Sequence, residues 1–250
     1  LTDLNINLLG TVYILETLRK FQYAGLFVHL STNKVYGDNP NRLPLKEYEL
    51  RFDLNKSHSF YNGIDTSMSI DNCTHSLFGC SKASSDLYVQ EYCRYFGIRS
   101  MILRGGCLTG SRHRGTKLHG FLSFLVKTAI NKDQYFILGY KGKQVRDNLH
   151  ARDIGILVNI FVEKQFQIPS NSFPIVANLG GGRHNSISVL ESIKVLSENF
   201  DLKLDYSVLE DSRIGDHQWY ISDFTNLTDL LGWKPTYSIN NIFDDIIKHT

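Results

Sequence analysis

The chain has 250 residues, of which 42% are hydrophobic, so it can bury a full core as one large or two small domains. Its net charge of +2 and its charged fraction of 21% indicate neither a nucleic-acid partner nor a membrane surface, and no apolar run approaches the ~20 residues of a membrane span. The four cysteines lack C-x-x-C spacing, which indicates free thiols in a reducing cytoplasm and no cysteine metal site.

Predicted helices and strands alternate along the chain. Leucines at helical spacing predict the first helix, with Asp3 as its N-cap. Short apolar runs bounded by glycine predict buried strands. This alternation indicates an α/β fold whose parallel sheet is covered on both faces. In chain order the predicted elements are a helix (4–18), a strand (25–32), a turn-rich loop (35–44), a polar active-site insertion (45–75), a helix (82–96) ended by Gly97, a strand (99–105), a helix (121–130), two short strands (135–140 and 144–150), a helix (152–164), a strand (173–179) that runs into a turn of three glycines, and a helix (188–199).

Two short segments carry polar groups suited to chemistry. Ser31, Thr32 and Asn33 lie at the carboxyl end of a predicted parallel strand, the edge at which open α/β sheets bind ligands. In HSLFGCSK, the residues Phe78 and Lys82 lie four apart at a helix start and therefore share one helix face. Taken alone, the hydroxyl groups would equally suit a turn or a helix cap.

An ordered set of motifs identifies a family resemblance over essentially the whole chain. The segments are NLLGTVYILETLRK, LSTNKVYGD, HSLFGCSK, LRGGCLTG, GYKGKQVRDNLHARD, NLGGG and SRIGD. Together they resemble the extended short-chain dehydrogenases/reductases of the sugar-nucleotide epimerase/dehydratase branch, and within it the CDP-paratose (CDP-tyvelose) 2-epimerases. The resemblance implies a Rossmann-type doubly wound sheet with a smaller substrate domain, NAD as cofactor, and epimerisation of a nucleotide sugar through transient oxidation of a ring carbon.

On the cofactor side, the resemblance assigns roles to five residues. Thr32 corresponds to the residue that hydrogen-bonds the sugar hydroxyl being oxidised. Lys82 would hold the nicotinamide ribose, and Asn7 would support the active-site strand. Ser31 and Arg104 are also expected on the cofactor side.

On the substrate side, the resemblance again assigns five residues. Asn33 and Cys107 are expected to face the substrate, Cys107 by position only. Arg146 and Arg213 match residues that bind the nucleotide diphosphate, which two guanidinium groups can hold through charge-assisted bonds. Asp216 matches a carboxylate on the ribose side. Taken alone, each arginine would equally suit a structural ion pair or a solvated loop charge.

The chain departs from the family at Phe78, where relatives have the tyrosine whose phenol moves the hydroxyl proton. Four nearby residues are candidates for that proton transfer: His75, Cys80, Tyr36 and Cys107. His75 is favoured because imidazole exchanges protons near neutral pH. Cys80 is expected to be buried.

The resemblance also implies an incomplete amino terminus, because the glycine-rich dinucleotide loop and its strand are not in the sequence. Residues 1–106 and about 144–180 are expected to form the NAD-binding domain, and residues 107–143 and 181–250 the substrate domain. A homodimer through the helices at 7–20 and 82–96 is expected for the complete protein.

Two other functions remain open from the sequence. A 4,6-dehydratase or C4-epimerase is one, although Asn33 and Lys34 stand where a dehydratase has Asp-Glu. The other is a non-catalytic sugar-nucleotide binder, which the missing phenol at Phe78 favours.

Overall fold

A computed structural model describes residues 1–116, 120–210 and 215–250. Helices and strands alternate in the predicted order. No helix in these ranges is both long enough and apolar enough to cross a membrane. The α-helices are α1 (Gly10–Lys20), α2 (Ser76–Phe96), α3 (Phe121–Asn131), α4 (Ala151–Lys164), α5 (Val189–Phe200), α6 (Thr225–Leu231) and α7 (Ile239–His249).

Most strands are shorter than the helices, and several have only two or three residues. They are β1 (Leu26–Thr32), β2 (Lys46–Glu47), β3 (Phe52–Asp53), β4 (Arg99–Gly105), β5 (Cys107–Thr109), β6 (Gln134–Leu138), β7 (Val145–His150), β8 (Ile175–Leu179), β9 (Ser186–Ser188), β10 (Asp205–Leu209) and β11 (Trp219–Tyr220).

The predicted parallel sheet is confirmed. Its strand order is β1-β4-β8, with both pairings parallel. Successive side chains of β4 enter different cores: Ile102 packs with α1 and α2, whereas Met101 and Leu103 pack with α4 and α6. Both faces of this sheet are therefore covered by helices, as expected for a parallel sheet.

A separate apolar core lies between α3, α5, α7 and β6. Beside it, the wholly buried strand β7 pairs with β5 and β11 in parallel and with β9 in antiparallel fashion. The division of the chain into a cofactor domain and a substrate domain stays a prediction, since α6 packs on the parallel sheet although its residues belong to the predicted substrate segment.

Two predicted details of the helices differ from the structure. Asp3 makes no side-chain capping bond, because its own backbone is already helical and continues into the π-helical turn Leu4–Leu9. Helix α2 begins at Ser76, before the predicted range of 82–96, and this agrees with the helix start predicted for HSLFGCSK. Its predicted end is confirmed: Gly97 has the left-handed φ of 69° that glycine tolerates best, and its N–H donates to the carbonyl of Cys93.

Candidate active site

The carboxyl ends of the three parallel strands lie side by side. Thr32 pairs with Gly105, and Gly105 pairs with Leu179. A cavity of about 600 Å³ opens at this edge, and its wall includes Thr32 and Gly105. The cavity therefore lies where parallel sheets of open α/β proteins bind their ligands.

The end of β1 is held by a short 3-10 turn, Asn33–Tyr36, that Thr32 caps. The Thr32 hydroxyl oxygen accepts a hydrogen bond from the backbone N–H of Lys34 at 3.3 Å. The neighbouring Ser31 and Asn33 are buried in the same cavity wall. Thr32 thus acts as a cap, and its side chain also faces the cavity.

Helix α2 brings its first turn to the same cavity. Phe78 lines the wall and is 43% exposed, so its ring faces open space rather than a packed core. Lys82, one turn later, donates from Nζ to the carbonyl of Leu30 at 2.6 Å. Burial lowers the pKa of the Lys82 amine. The helix is tied to the amino terminus by a hydrogen bond from Asn7 Nδ2 to Ser81 Oγ at 3.0 Å.

The wall of the same cavity also carries predicted substrate residues. Arg146 on β7 donates from NH2 to Oδ1 of Asp216 at 2.7 Å, and both residues line the cavity. Cys107 also lines the cavity, and burial raises the pKa of its thiol to about 11, so the thiol stays protonated at neutral pH. Arg213 lies outside the described residues.

Comparison with known proteins identifies the family. The sequence model of the NAD dependent epimerase/dehydratase family matches residues 2–178. The chain belongs to that family. It is also 31% identical to CDP-paratose 2-epimerase of Salmonella typhi over 246 residues, which cover 94% of this chain and 68% of that protein. The predicted NAD dependence is thereby confirmed for the family.

Solved structures of similar fold confirm the Rossmann-type architecture of this NAD dependent epimerase/dehydratase family member. UDP-glucose 4-epimerase from Thermus thermophilus, in complex with NAD, has a TM-score of 0.75 at 16% identity over 98% of this chain and 70% of that one. UDP-glucuronic acid 4-epimerase from Bacillus cereus, in complex with UDP-glucuronic acid and NAD, has a TM-score of 0.72 at 21% identity over 97% and 66%. The chain therefore spans about two thirds of the length of these relatives.

Several predicted site residues of this family member lie outside the cavity wall. Arg104 is buried against Asp86, and Asn7 binds helix α2. Lys82 lies beside the cavity rather than in its wall. His75 hydrogen-bonds through Nε2 to the carbonyl of Val35 at 2.8 Å, which makes that nitrogen a donor. In the described part of the chain, the cavity thus gathers Ser31, Thr32, Asn33, Phe78, Cys107, Arg146 and Asp216.

Two expectations about the region beside the active site are wrong. Cys80 is exposed rather than buried, because its side chain leaves α2 on the solvent side. Residues 45–75 do not contribute to the described cavity wall. They pack instead through Leu54 and Ile64 against Trp219, since they hold enough apolar side chains to contribute to a core outside the parallel sheet.

Lys34 is a charged residue of the cavity wall that was not among the site residues predicted from the sequence. Its side chain is 27% accessible, its Nζ donates to the carbonyl of Gly215 at 2.8 Å, and its ammonium lies 3.6 Å from Oδ1 of Asp216. The sequence did hold a signal for this site residue, because Lys34 follows Thr32 by only two positions. Only the fold brings that lysine to residues 215 and 216.

Residues in the first two turns of α2 fit the nicotinamide end of NAD in their chemistry. Leu77 and Phe78 present exposed apolar side chains at the start of α2, which suit a flat aromatic ring. Lys82 supplies a partly buried amine one turn away, suited to ribose hydroxyl groups. These residues are the ones that would hold the nicotinamide nucleoside.

Proposed function

We propose that this chain is the catalytic part of an NAD-dependent nucleotide-sugar epimerase. NAD, when bound, supplies the acceptor and later the donor of the hydride. Thr32 would hydrogen-bond the sugar hydroxyl that is oxidised, and Lys82 would hold the nicotinamide ribose. Arg146 would bind the diphosphate of the nucleotide.

The observation that carries this proposal is the shared cavity of Thr32 and Arg146. Thr32 ends a parallel strand in the first part of the chain, whereas Arg146 lies on the buried strand β7. A sugar that reached Thr32 would have its diphosphate near the guanidinium of Arg146. An apolar wall from β6, including Tyr135 and Ile137, completes a mixed surface of the kind that binds nucleotide ligands.

The finer proposal is a 2-epimerase of the CDP-paratose type. The motifs STNKVYGD and GKQVRD support it, as does the identity of 31% to the Salmonella typhi protein of that name. Asn33 and Lys34 stand where a dehydratase has Asp-Glu, which disfavours the 4,6-dehydratase alternative.

A second candidate function is binding of a nucleotide sugar without turnover. Phe78 favours it, because a phenyl ring packs against a ligand but moves no proton. The complete natural protein should be titrated with NAD and with CDP-, UDP- and dTDP-sugars by calorimetry, followed by product analysis. Binding with epimerised product supports the epimerase, and binding without product supports the binder. A 4-keto-6-deoxy product indicates a dehydratase. No binding of any nucleotide sugar contradicts both the epimerase and the binder.

Assembly and location are further parts of the proposal. A homodimer through α1 and α2 is supported by large apolar side chains that these helices leave exposed, among them Tyr13 and Tyr95. A cytoplasmic location is supported by the four free thiols. Sedimentation of the complete protein, compared with a Tyr13→Glu/Tyr95→Glu variant, tests the dimer.

A further inference from the structure

At Phe78 the cavity wall has a phenyl ring where relatives have the phenol that moves a proton, and the candidates from the sequence do not replace that phenol. Tyr36 is wholly buried, and its hydroxyl donates to Oδ1 of Asn178 at 2.7 Å. His75 uses Nε2 on a backbone carbonyl, and neither it nor Cys80 lines the cavity. Cys107 lines the cavity, but burial raises the pKa of its thiol to about 11, so almost no thiolate is present at neutral pH.

Lys34 offers the geometry that these residues lack. Its backbone N–H binds Thr32 Oγ1 at 3.3 Å, and both side chains line the cavity. Its Nζ donates to the Gly215 carbonyl at 2.8 Å and lies 3.6 Å from Asp216 Oδ1. A neutral amine has two hydrogens and one lone pair. With one hydrogen donated to the Gly215 carbonyl and Asp216 within ion-pair distance, the neutral amine keeps a lone pair that can accept a proton.

Burial moves proton exchange by the Lys34 amine closer to neutral pH. Burial lowers the pKa of the Lys34 amine to about 8, and Arg146 acts in the same direction, whereas Asp216 and Cys107 oppose them. His217 also faces this group; it is wholly buried with Nε2 on the Gly37 carbonyl, and burial keeps its pKa well below the ordinary value. An acid/base group works best when it exchanges protons near the operating pH.

We propose that Lys34 carries the proton of the substrate hydroxyl at Thr32, in place of the phenol that Phe78 lacks. This inference rests on the proposed epimerase function. The O–H bond of the substrate breaks, and its proton binds the lone pair of Nζ, which turns the amine into an ammonium. NAD, when bound, would supply the acceptor for the accompanying hydride. On re-reduction of the carbonyl, the ammonium returns the proton to the oxygen.

The first test measures proton binding by Lys34 without any turnover. The complete protein is acylated with trace acetic anhydride at a series of pH values, and the label on Lys34 is quantified by mass spectrometry, with the exposed Lys194 as the reference for reagent. The expected midpoint lies near pH 8, below the ~10.4 of an ordinary lysine. Arg146→Gln should raise this midpoint, and Asp216→Asn should lower it. A midpoint near the ordinary value overturns the proposal.

The second test separates proton transfer from charge. Lys34→Arg keeps a cation but cannot release its proton, and Lys34→Met removes the group. Both variants should still bind the nucleotide sugar, and turnover should fall at least ~10²-fold in each. Phe78→Tyr combined with Lys34→Met should restore part of the lost turnover. The matched control is Lys143→Met, which removes a lysine that pairs with Glu47 outside the cavity wall and should leave turnover unchanged.

The outcomes distinguish this inference from the proposed function. Epimerisation that survives in Lys34→Arg overturns the role of Lys34 and leaves the epimerase intact. Binding of nucleotide sugar without turnover in the natural protein overturns the role of Lys34 as well, because the protein then transfers no proton from the substrate. If no nucleotide sugar binds at all, the proposed function itself has failed.

Discussion

The guanidinium of Arg104 and the carboxylate of Asp86 form a two-point ion pair inside the protein. Nε lies 3.0 Å from Oδ2 and NH2 lies 3.1 Å from Oδ1, with side chains only 6% and 1% accessible. Burial acts to raise the pKa of Asp86, but hydrogen bonds, above all those from Arg104, outweigh it and lower that pKa. Because Asp86 also accepts from Ser31 Oγ at 2.6 Å, the pair anchors the strand just before Thr32.

Removing one partner of this pair should therefore destabilise the protein strongly. Asp86→Ala leaves the Arg104 charge buried without its partner, and we expect a loss of about 3–5 kcal/mol in the free energy of unfolding. Urea unfolding followed by circular dichroism measures it. Asp86→Leu/Arg104→Met should recover much of the loss, since apolar side chains replace both charges. A loss below about 1 kcal/mol in the single variant would contradict the importance of the pair.

The proposed diphosphate contact is tested by Arg146→Ala. We expect nucleotide-sugar binding to weaken by about 1.5–3 kcal/mol, the range of a hydrogen bond to a charged group, with NAD affinity little changed. Calorimetry on the complete protein measures both affinities. The matched control is Arg152→Ala, because Arg152 is exposed and does not line the cavity. Unchanged sugar-nucleotide affinity in Arg146→Ala would show that the assignment is wrong.

Restoring the phenol tests the site at Phe78. Phe78→Tyr adds a hydroxyl to a ring that is already partly exposed in the cavity wall, so space for it is present. A positioned acid/base group contributes ~10²–10⁴-fold, and Phe78→Tyr should speed hydride transfer by such a factor when Lys34 is replaced by Met, seen as transient NADH absorbance with the correct sugar nucleotide. With Lys34 present the gain should be smaller, because the proton transfer proposed for Lys34 is then already in place. His75→Ala is the companion variant. Because His75 bonds a backbone carbonyl, we expect lower stability with turnover retained, and loss of turnover without unfolding would instead support His75 as the base.

Asp147 should make stability depend on pH. Its Oδ2 accepts backbone N–H groups of Gly182 and Ser222 at 3.0 Å each, and burial raises its pKa from 3.8 to about 6. The folded protein therefore holds this proton more tightly, and the resulting stability is fully present below about pH 3.8 and lost as the pH rises through about 6.

Asp147→Asn removes this ionisation. From about pH 4 to about pH 8, the unfolding free energy of the variant relative to the natural protein should rise by about 2–3 kcal/mol. Chemical unfolding at both pH values measures the difference. Asp244→Asn is the control, because Asp244 is an exposed partner of Lys248. A difference that is the same at both pH values would contradict the raised pKa of Asp147.

Local patterns were enough to predict the parallel strands and most helix positions. The apolar runs at β1, β4 and β8 bury themselves wherever a sheet forms, and Gly97 ends α2 through its own backbone freedom. The ordered motifs also predicted the family, since they hold residue types that the chemistry of the site requires. Of these motifs, SRIGD lies partly outside the described residues, so Arg213 stays a prediction.

The side-chain partners were decided only by the tertiary structure. Arg146 pairs with Asp216, seventy residues away, and not with its neighbour Asp147, because successive residues of a strand point to opposite faces. The lowered pKa of the Lys34 amine is also decided by the tertiary structure. Desolvation and electrostatic interaction act through space, and the groups that surround Lys34 come from β5, β7 and the segment before β11, which the chain order alone does not bring together.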